Sequence, residues 1–186
     1  GFMETFHRAF RPLAFPTHTL PPIQCDPKRC EFSPPHCTGA CADQAVAMIH
    51  QQEKELAAVI VEPLCQGAAG MKMYGSGFLQ QIAAACLDTG VLLIMDEVAM
   101  GFYRTGTRFA FDHADIRPDI VCVGKALSAG TLPISAAAVD RAIFETFRDH
   151  PFDKTFYHGH TFAGNPLAAA AANTALDLYE EMDLPD

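Results

Sequence analysis

The sequence predicts an α/β protein, a mostly parallel sheet flanked by helices, and three observations carry that prediction. Short apolar runs without alternation recur at Ala57–Val61, Val91–Met95 and Ile120–Val123. Such a run reads as a strand covered on both faces, as in parallel sheets. Stretches with the helical spacing of apolar residues separate the runs. Each run, finally, leads into a charged side chain: Glu62, Asp96 and Lys125. Ligands of open parallel sheets sit just beyond the carboxyl ends of the strands, so two acids and a lysine would share one edge. A carboxylate leaving a dry sheet needs a cation or a hydrogen-bond donor to stay charged. For each residue taken singly, a plain strand-end ion pair therefore stays open as the alternative.

In chain order, residues 1–40 carry seven prolines (Pro12, Pro16, Pro21, Pro22, Pro27, Pro34, Pro35) and no sustained periodicity. So long a structureless stretch is expected to be a functional surface loop or to pack on elements outside the chain. Phe2, Phe6, Phe10 and Phe15 are expected to pack against something. Cys41–Leu56 reads as an amphipathic helix with Ala42, Ala45, Val46, Ile49 and Leu56 on one face. After the Ala57–Val61 strand, Pro63, Gly67 and Gly70 open a loop. Ser76 is placed to cap a second helix, with Phe78, Leu79, Ile82, Ala83 and Cys86 inward and Gly90 ending it. The Val91–Met95 and Ile120–Val123 strands follow, then a strand over Ile134–Val139. Asp140 should cap a short helix bearing Ile143, Phe144 and Phe147, and Asn165-Pro166 should open an alanine-rich helix to about Glu181.

The 186 residues suffice for one domain with a real core, and 49% hydrophobic with 19% charged residues is the balance of a soluble globular protein. A formal net charge of -9 without a basic cluster argues against nucleic acid and anionic membrane surfaces. No apolar run approaches the ~20 residues that span a bilayer, and no basic-then-apolar leader opens the chain. A cytoplasmic enzyme is the expectation. Four of the seven cysteines cluster (Cys25, Cys30, Cys37, Cys41) without the paired spacing of a structural zinc site. They read as thiols in a reducing compartment, with no metal, and Cys65, Cys86 and Cys122 read as small core residues.

A lysine at a strand end, in a dry pocket, can lose its proton near neutral pH and attack a carbonyl. An aspartate across from it suits a cofactor with a protonated ring nitrogen. Pyridoxal phosphate needs both, a Schiff-base lysine and an acid that keeps the pyridinium charged. The alternative that the residues alone leave open is direct, Asp96 bound to Lys125 as a structural salt bridge. No P-loop, dinucleotide glycine fingerprint or zinc-protease helix competes.

Four ordered motifs then bear on the question: Val61-Glu62-Pro63 with Gln66-Gly67-Ala68-Ala69-Gly70; Asp96-Glu97-Val98 with Gly101-Phe102 and Arg104-Thr105-Gly106; Gly124-Lys125-Ala126-Leu127; and His158-Gly159-His160-Thr161-Phe162-Ala163-Gly164-Asn165-Pro166. In order and spacing the chain resembles the class III pyridoxal-phosphate aminotransferases, over nearly its whole length. The resemblance implies a fold type I large domain and a homodimer taking a small-molecule amino donor and a keto acceptor. It implies that Lys125 forms the Schiff base and shuttles a proton, that Asp96 pairs with the pyridinium nitrogen, and that Val98 packs on one ring face. His160 and Thr161 would reach the cofactor phosphate of the neighbouring subunit, Gly159 would lie beside the substrate, and Glu62 would line the substrate side. Arg104 and His158 would be structural.

Within the class, Ala99 in place of a frequent glutamine, together with Gly67-Ala68-Ala69-Gly70-Met71, resembles the biotin-pathway branch, which passes the amino group of adenosylmethionine to 8-amino-7-oxononanoate. Two departures stand out: Met100 for a usual threonine, and Tyr103 for a glycine of the Gly-Phe-Gly-Arg-Thr-Gly loop. If that glycine needs a positive φ, tyrosine strains the turn. The family's phosphate-cradling amino-terminal segment and its carboxy-terminal small domain have no counterpart in residues 1–186, which would form the central part of the large domain. The chain as given is therefore expected to be an inactive fragment. Two rivals stand beside this reading: an ω-amino acid or diamine transaminase using pyruvate or 2-oxoglutarate, and a cysteine-cluster metal-binding or structural domain.

Overall fold

A computed structural model describes residues 8–20, 22–23, 39–148 and 153–184. Phe2, Phe6 and the thiols of Cys25, Cys30 and Cys37 lie outside the described residues. A four-stranded sheet organises the rest, built from β1 (Ala58–Val61), β4 (Leu92–Asp96), β5 (Ile120–Val123) and β6 (Ala136–Val139) in that spatial order. β1, β4 and β5 run parallel, and β6 returns antiparallel beside β5. The 3-10 turn Lys125–Ser128 and the Thr131 N–H to Ser128 carbonyl bond fold the chain back here, so no helix crosses the sheet between β5 and β6. Two two-residue strands, β2 (Cys65–Gln66) and β3 (Lys72–Met73), pair antiparallel in the loop after β1.

Four helices accompany the sheet: α1 (Asp43–Gln51), α2 (Ser76–Thr89), α3 (Arg141–Arg148) and α4 (Pro166–Glu181). α1 is shorter than the amphipathic pattern to Leu56 predicts. Its last turn closes at Gln52, whose carbonyl accepts from Glu55 and Leu56 in a turn of its own. Ser76 is not the cap of α2 but its first residue. Gly75 stands at the cap position without a side chain to offer, while Gly90 ends the helix in the left-handed region at φ 71 as expected. The predicted cap of α4 is present: Asn165 Oδ1 accepts from the N–H groups of Leu167 (2.9 Å) and Ala168 (3.3 Å), with Pro166 in the first turn. Asp140 Oδ1 likewise accepts from Ala142 N–H at 3.0 Å and opens α3.

One face of β1 and β4, carrying Val59, Val61, Leu93 and Met95, packs against Ala45 and Ile49 of α1 and Phe78, Leu79 and Ile82 of α2. Each large side chain buried there contributes about 1.5–3 kcal/mol. The other face corrects the expectation of strands buried on both sides. Ile60 is 59% exposed, and Leu92 and Ile94 are half-buried. Leu20 and Ile23 reach the core, whereas Phe10 (62%) and Phe15 (81%) are exposed rather than packed as predicted. Cys65 and Cys86 are core residues, but Cys122 is only half-buried, because it shares the open face with Ile94 and Ile120. Among the described residues no helix is long and apolar enough to cross a membrane, and no group of acids, histidines and cysteines is arranged to hold a metal.

Candidate active site

Three parallel neighbours, β1, β4 and β5, end at one edge of the sheet. Asp96 closes its strand there, and the loops leaving the three strands carry Glu62, Glu97-Val98 and Gly124-Lys125. The edge predicted from three apolar runs is thus formed by adjacent strands, with Asp96 in register with Cys122, three residues before Lys125.

Asp96 is half-buried, and its Oδ1 accepts from the Val98 N–H at 3.1 Å. Lys125 is exposed and opens its 3-10 turn in the left-handed region, at φ 44. A lysine costs about 1–2 kcal/mol in that conformation, and such strain persists where the surroundings over-determine it. Among the described residues neither Asp96 nor Lys125 belongs to an ion pair, so the salt-bridge pairing that spacing allowed is not made. Val98 stands beside the turn: a Cβ on Gly124 would lie 3.5 Å from Val98 Cγ1.

Among the described residues Glu62 is not in an ion pair either. Its Oε2 accepts from the Gly67 N–H at 3.0 Å, and its carbonyl accepts from the Tyr74 hydroxyl. Burial pushes the Tyr74 phenol far up, so it serves as a donor at any ordinary pH. The Glu62 carboxylate thereby closes the loop 62–70 on itself, and a Cβ on Gly67 would lie 3.7 Å from the Ala99 Cβ of the next loop.

The acid next to Asp96 does something else. Glu97 is fully buried, and its Oε1 accepts from the Phe111 N–H at 2.9 Å while Oε2 has no partner. Burial pushes its carboxyl above the usual range, the Phe111 and Ala110 N–H groups pull it back, and the charges of Asp112 and Asp96 add to the rise. Glu97 is an anchor for segment 109–114, which the apolar-run argument missed by treating the two acids alike.

The loop after Glu97 holds two consecutive non-glycine residues in the left-handed region, Phe102 (φ 57) and Tyr103 (φ 67). The strain anticipated at Tyr103 is therefore present. Offsetting it, the Phe102 N–H donates to the Arg108 carbonyl at 2.7 Å, Arg108 Nε donates to the Tyr103 hydroxyl at 3.3 Å, and Arg108 pairs with Glu180 of α4 at 3.2 Å. Tyr179, one residue earlier, donates its hydroxyl to the Ala126 carbonyl at 2.7 Å. Neither Arg108 nor Tyr179 was singled out from the sequence. Tyr179 could have been, since it continues the helical stripe Ala168, Ala172, Ala175, Leu176.

Gly159, His160 and Thr161 lie exposed in the loop before α4, and His160 Nδ1 accepts from the Phe162 N–H at 3.1 Å. No hydrogen bond joins them to Asp96, Lys125 or Glu62 among the described residues. His158 stacks on Phe156 with ring centroids 5.4 Å apart, and Arg104 is exposed. Pyridoxal phosphate, the cofactor of the class that the sequence resembles, fits this edge on one count. It requires an acid and a lysine that are near each other in the sheet yet not consumed by one another, and both conditions hold.

The chain is similar to proteins of known structure and name over most of its length. It is 39% identical over 184 residues to an adenosylmethionine-8-amino-7-oxononanoate aminotransferase of Geobacter sulfurreducens, covering 97% of the chain and 40% of that relative. The crystal structure of the enzyme of the same name from Methanocaldococcus jannaschii superposes with a TM-score of 0.83 at 34% identity, over 98% of this chain and 40% of that one. A thermostable (S)-enantioselective omega-transaminase from Thermomicrobium roseum superposes with a TM-score of 0.72 at 35% identity, over 78% of this chain and 32% of that one. The chain thus spans about 40% of the length of the adenosylmethionine-8-amino-7-oxononanoate aminotransferases it matches. The family description Aminotransferase class-III matches residues 4–186, and the chain belongs to that family.

Proposed function

We propose that the chain carries the central part of the cofactor-binding large domain of a pyridoxal-phosphate aminotransferase, one that moves the amino group of adenosylmethionine to 8-amino-7-oxononanoate. The observation that carries the reading is the edge where Asp96 and Lys125 end neighbouring parallel strands without pairing. The name shared by the Geobacter and Methanocaldococcus relatives supports the substrate pair. When bound, pyridoxal phosphate supplies the electron sink that stabilises a carbanion at the carbon bearing the amino group. Asp96 would hold the proton on the ring nitrogen, and the Val98 N–H at its Oδ1 keeps the carboxylate aimed. Lys125 would hold the cofactor covalently through Nζ and carry the proton between the reacting carbons. Val98 would pack on the ring, Glu62 would line the substrate side, and Gly159 would lie beside the substrate. His160 and Thr161, exposed and unattached to this edge, suit a role across a homodimer, holding the phosphate in the partner subunit. The parent enzyme would work in the cytoplasm, and the 186 residues alone would be inactive.

The test uses the full-length protein. Incubation with pyridoxal phosphate and borohydride should trap the cofactor on Lys125, located by peptide mapping, and Lys125→Ala should abolish trapping. Label on another residue, or none, overturns the site assignment. The likeness to the Thermomicrobium omega-transaminase favours a second substrate reading, an ω-amino acid or diamine as donor with pyruvate or 2-oxoglutarate as acceptor. A donor screen decides: amino transfer from adenosylmethionine supports the first reading, and transfer only from amines to pyruvate or 2-oxoglutarate replaces it.

A further inference from the structure

Two loops must keep a fixed spacing if the strand ends at Asp96 and Lys125 are to serve one ligand, and the Tyr179 side chain touches both. The Tyr179 hydroxyl donates to the Ala126 carbonyl at 2.7 Å, next to Lys125. Its ring lies 6.1 Å from the Phe102 ring and 6.1 Å from the Tyr103 ring, in the loop that leaves Asp96. α4 brings it there: Ala172 packs with Val123 and Leu127, Leu176 with the same cluster, and the Arg108–Glu180 pair at 3.2 Å ties the next residue to the loop.

Both contacts fall where the backbone is least content. Phe102 and Tyr103 are left-handed on one side, Lys125 (φ 44) and Ala129 (φ 51) on the other. The Ala126 carbonyl also accepts from the Ala129 N–H at 2.9 Å, and the Leu127 N–H donates to Gly124 at 2.9 Å. The turn therefore closes without Tyr179. What the hydroxyl adds is an external reference point, on a helix, for the peptide that follows Lys125. We propose that Tyr179 is a positioning residue that sets the placement of Lys125 relative to Asp96, acting through the Ala126 carbonyl and the Phe102–Tyr103 loop. The proposal rests on Lys125 being the cofactor lysine, as argued above.

The full-length protein loaded with pyridoxal phosphate tests it, with borohydride trapping on Lys125 of the unaltered protein as the reference. Tyr179→Phe keeps the ring and removes one neutral hydrogen bond, so trapping at Lys125 should slow about fivefold. The visible circular dichroism of the bound cofactor, which reports its orientation, should change in amplitude. Trapping and visible dichroism unchanged in Tyr179→Phe, with Lys125 still labelled, would overturn the positioning role alone. Unaltered protein that is not labelled at Lys125 would overturn the cofactor-lysine reading and this inference with it. A Tyr179→Phe protein that fails to fold would assign the hydroxyl to fold stability and also overturn the inference.

Discussion

If Lys125 is held in a left-handed backbone by its surroundings, replacing it with glycine should give a more stable protein than replacing it with alanine. The comparison isolates the backbone. Both variants lack the amine, both lose any covalent cofactor, and the exposed lysine side chain leaves no cavity behind. An L-residue at φ 44 costs about 1–2 kcal/mol. Glycine escapes that cost but loses about 0.5–1 kcal/mol more conformational entropy on folding. The difference favours Lys125→Gly over Lys125→Ala by about 1 kcal/mol, or about 2–4 °C of unfolding midpoint for a domain of this size. Ala84, exposed in α2, supplies the control of opposite sign: Ala84→Gly should cost about 1 kcal/mol. Equilibrium urea unfolding of the three variants and the unaltered protein, with slopes compared, is the assay. Alanine equal to or better than glycine at 125 would refute the claim that the turn is strained.

Asn165→Ala removes the acceptor of two α4 amide protons and should cost about 1 kcal/mol in urea unfolding, whereas Asn165→Gly should cost only a few tenths. A Cβ on Gly101 would lie 2.9 Å from the Glu97 carbonyl oxygen, so Gly101→Ala must push the Glu97 turn aside; about 1–3 kcal/mol should be lost, and a neutral result would show that the turn gives freely. Glu97, its carboxyl raised by burial, binds its proton more tightly folded than unfolded. The stability it contributes is full below its unfolded value of 4.5 and is lost as pH rises through the raised folded value. Glu97→Gln should therefore flatten the fall of the urea midpoint between those two values, and an unaltered slope would place the buried carboxyl outside the titration.

How much of this could be read from the residues follows from what each signal encodes. An apolar run ending in a charge encodes a strand and its terminal residue, so the edge bearing Glu62, Asp96 and Lys125 was legible, and Ile120–Val123 matched to the residue. The same run says nothing of which faces are covered. Ile60 and Ile94 were therefore placed in a core that leaves them open or half-open. Strand direction is also absent from period and composition, which hid the antiparallel return of β6, and strands as short as β2 and β3 fall below any periodic window. Helix ends read well where a side chain does the capping, as at Asn165 and Asp140, and poorly where Gly75 caps with nothing. The strain at Tyr103 was anticipated because the residue stands where the class carries glycine. Its restraint by Arg108 and Glu180 joins segments far apart in the chain and leaves no local trace.

The pairing of Asp96 with Cys122 on the open side of the sheet has a practical use. Burial and the Asp96 charge both hold the Cys122 thiol above its ordinary range, so an alkylating reagent reacts with it slowly. Neutralising the acid by Asp96→Asn should quicken the labelling, and any molecule lodged against the acid should shield it. The chain thus comes with its own chemical gauge of that edge, one that a mass spectrometer can read without a turnover assay.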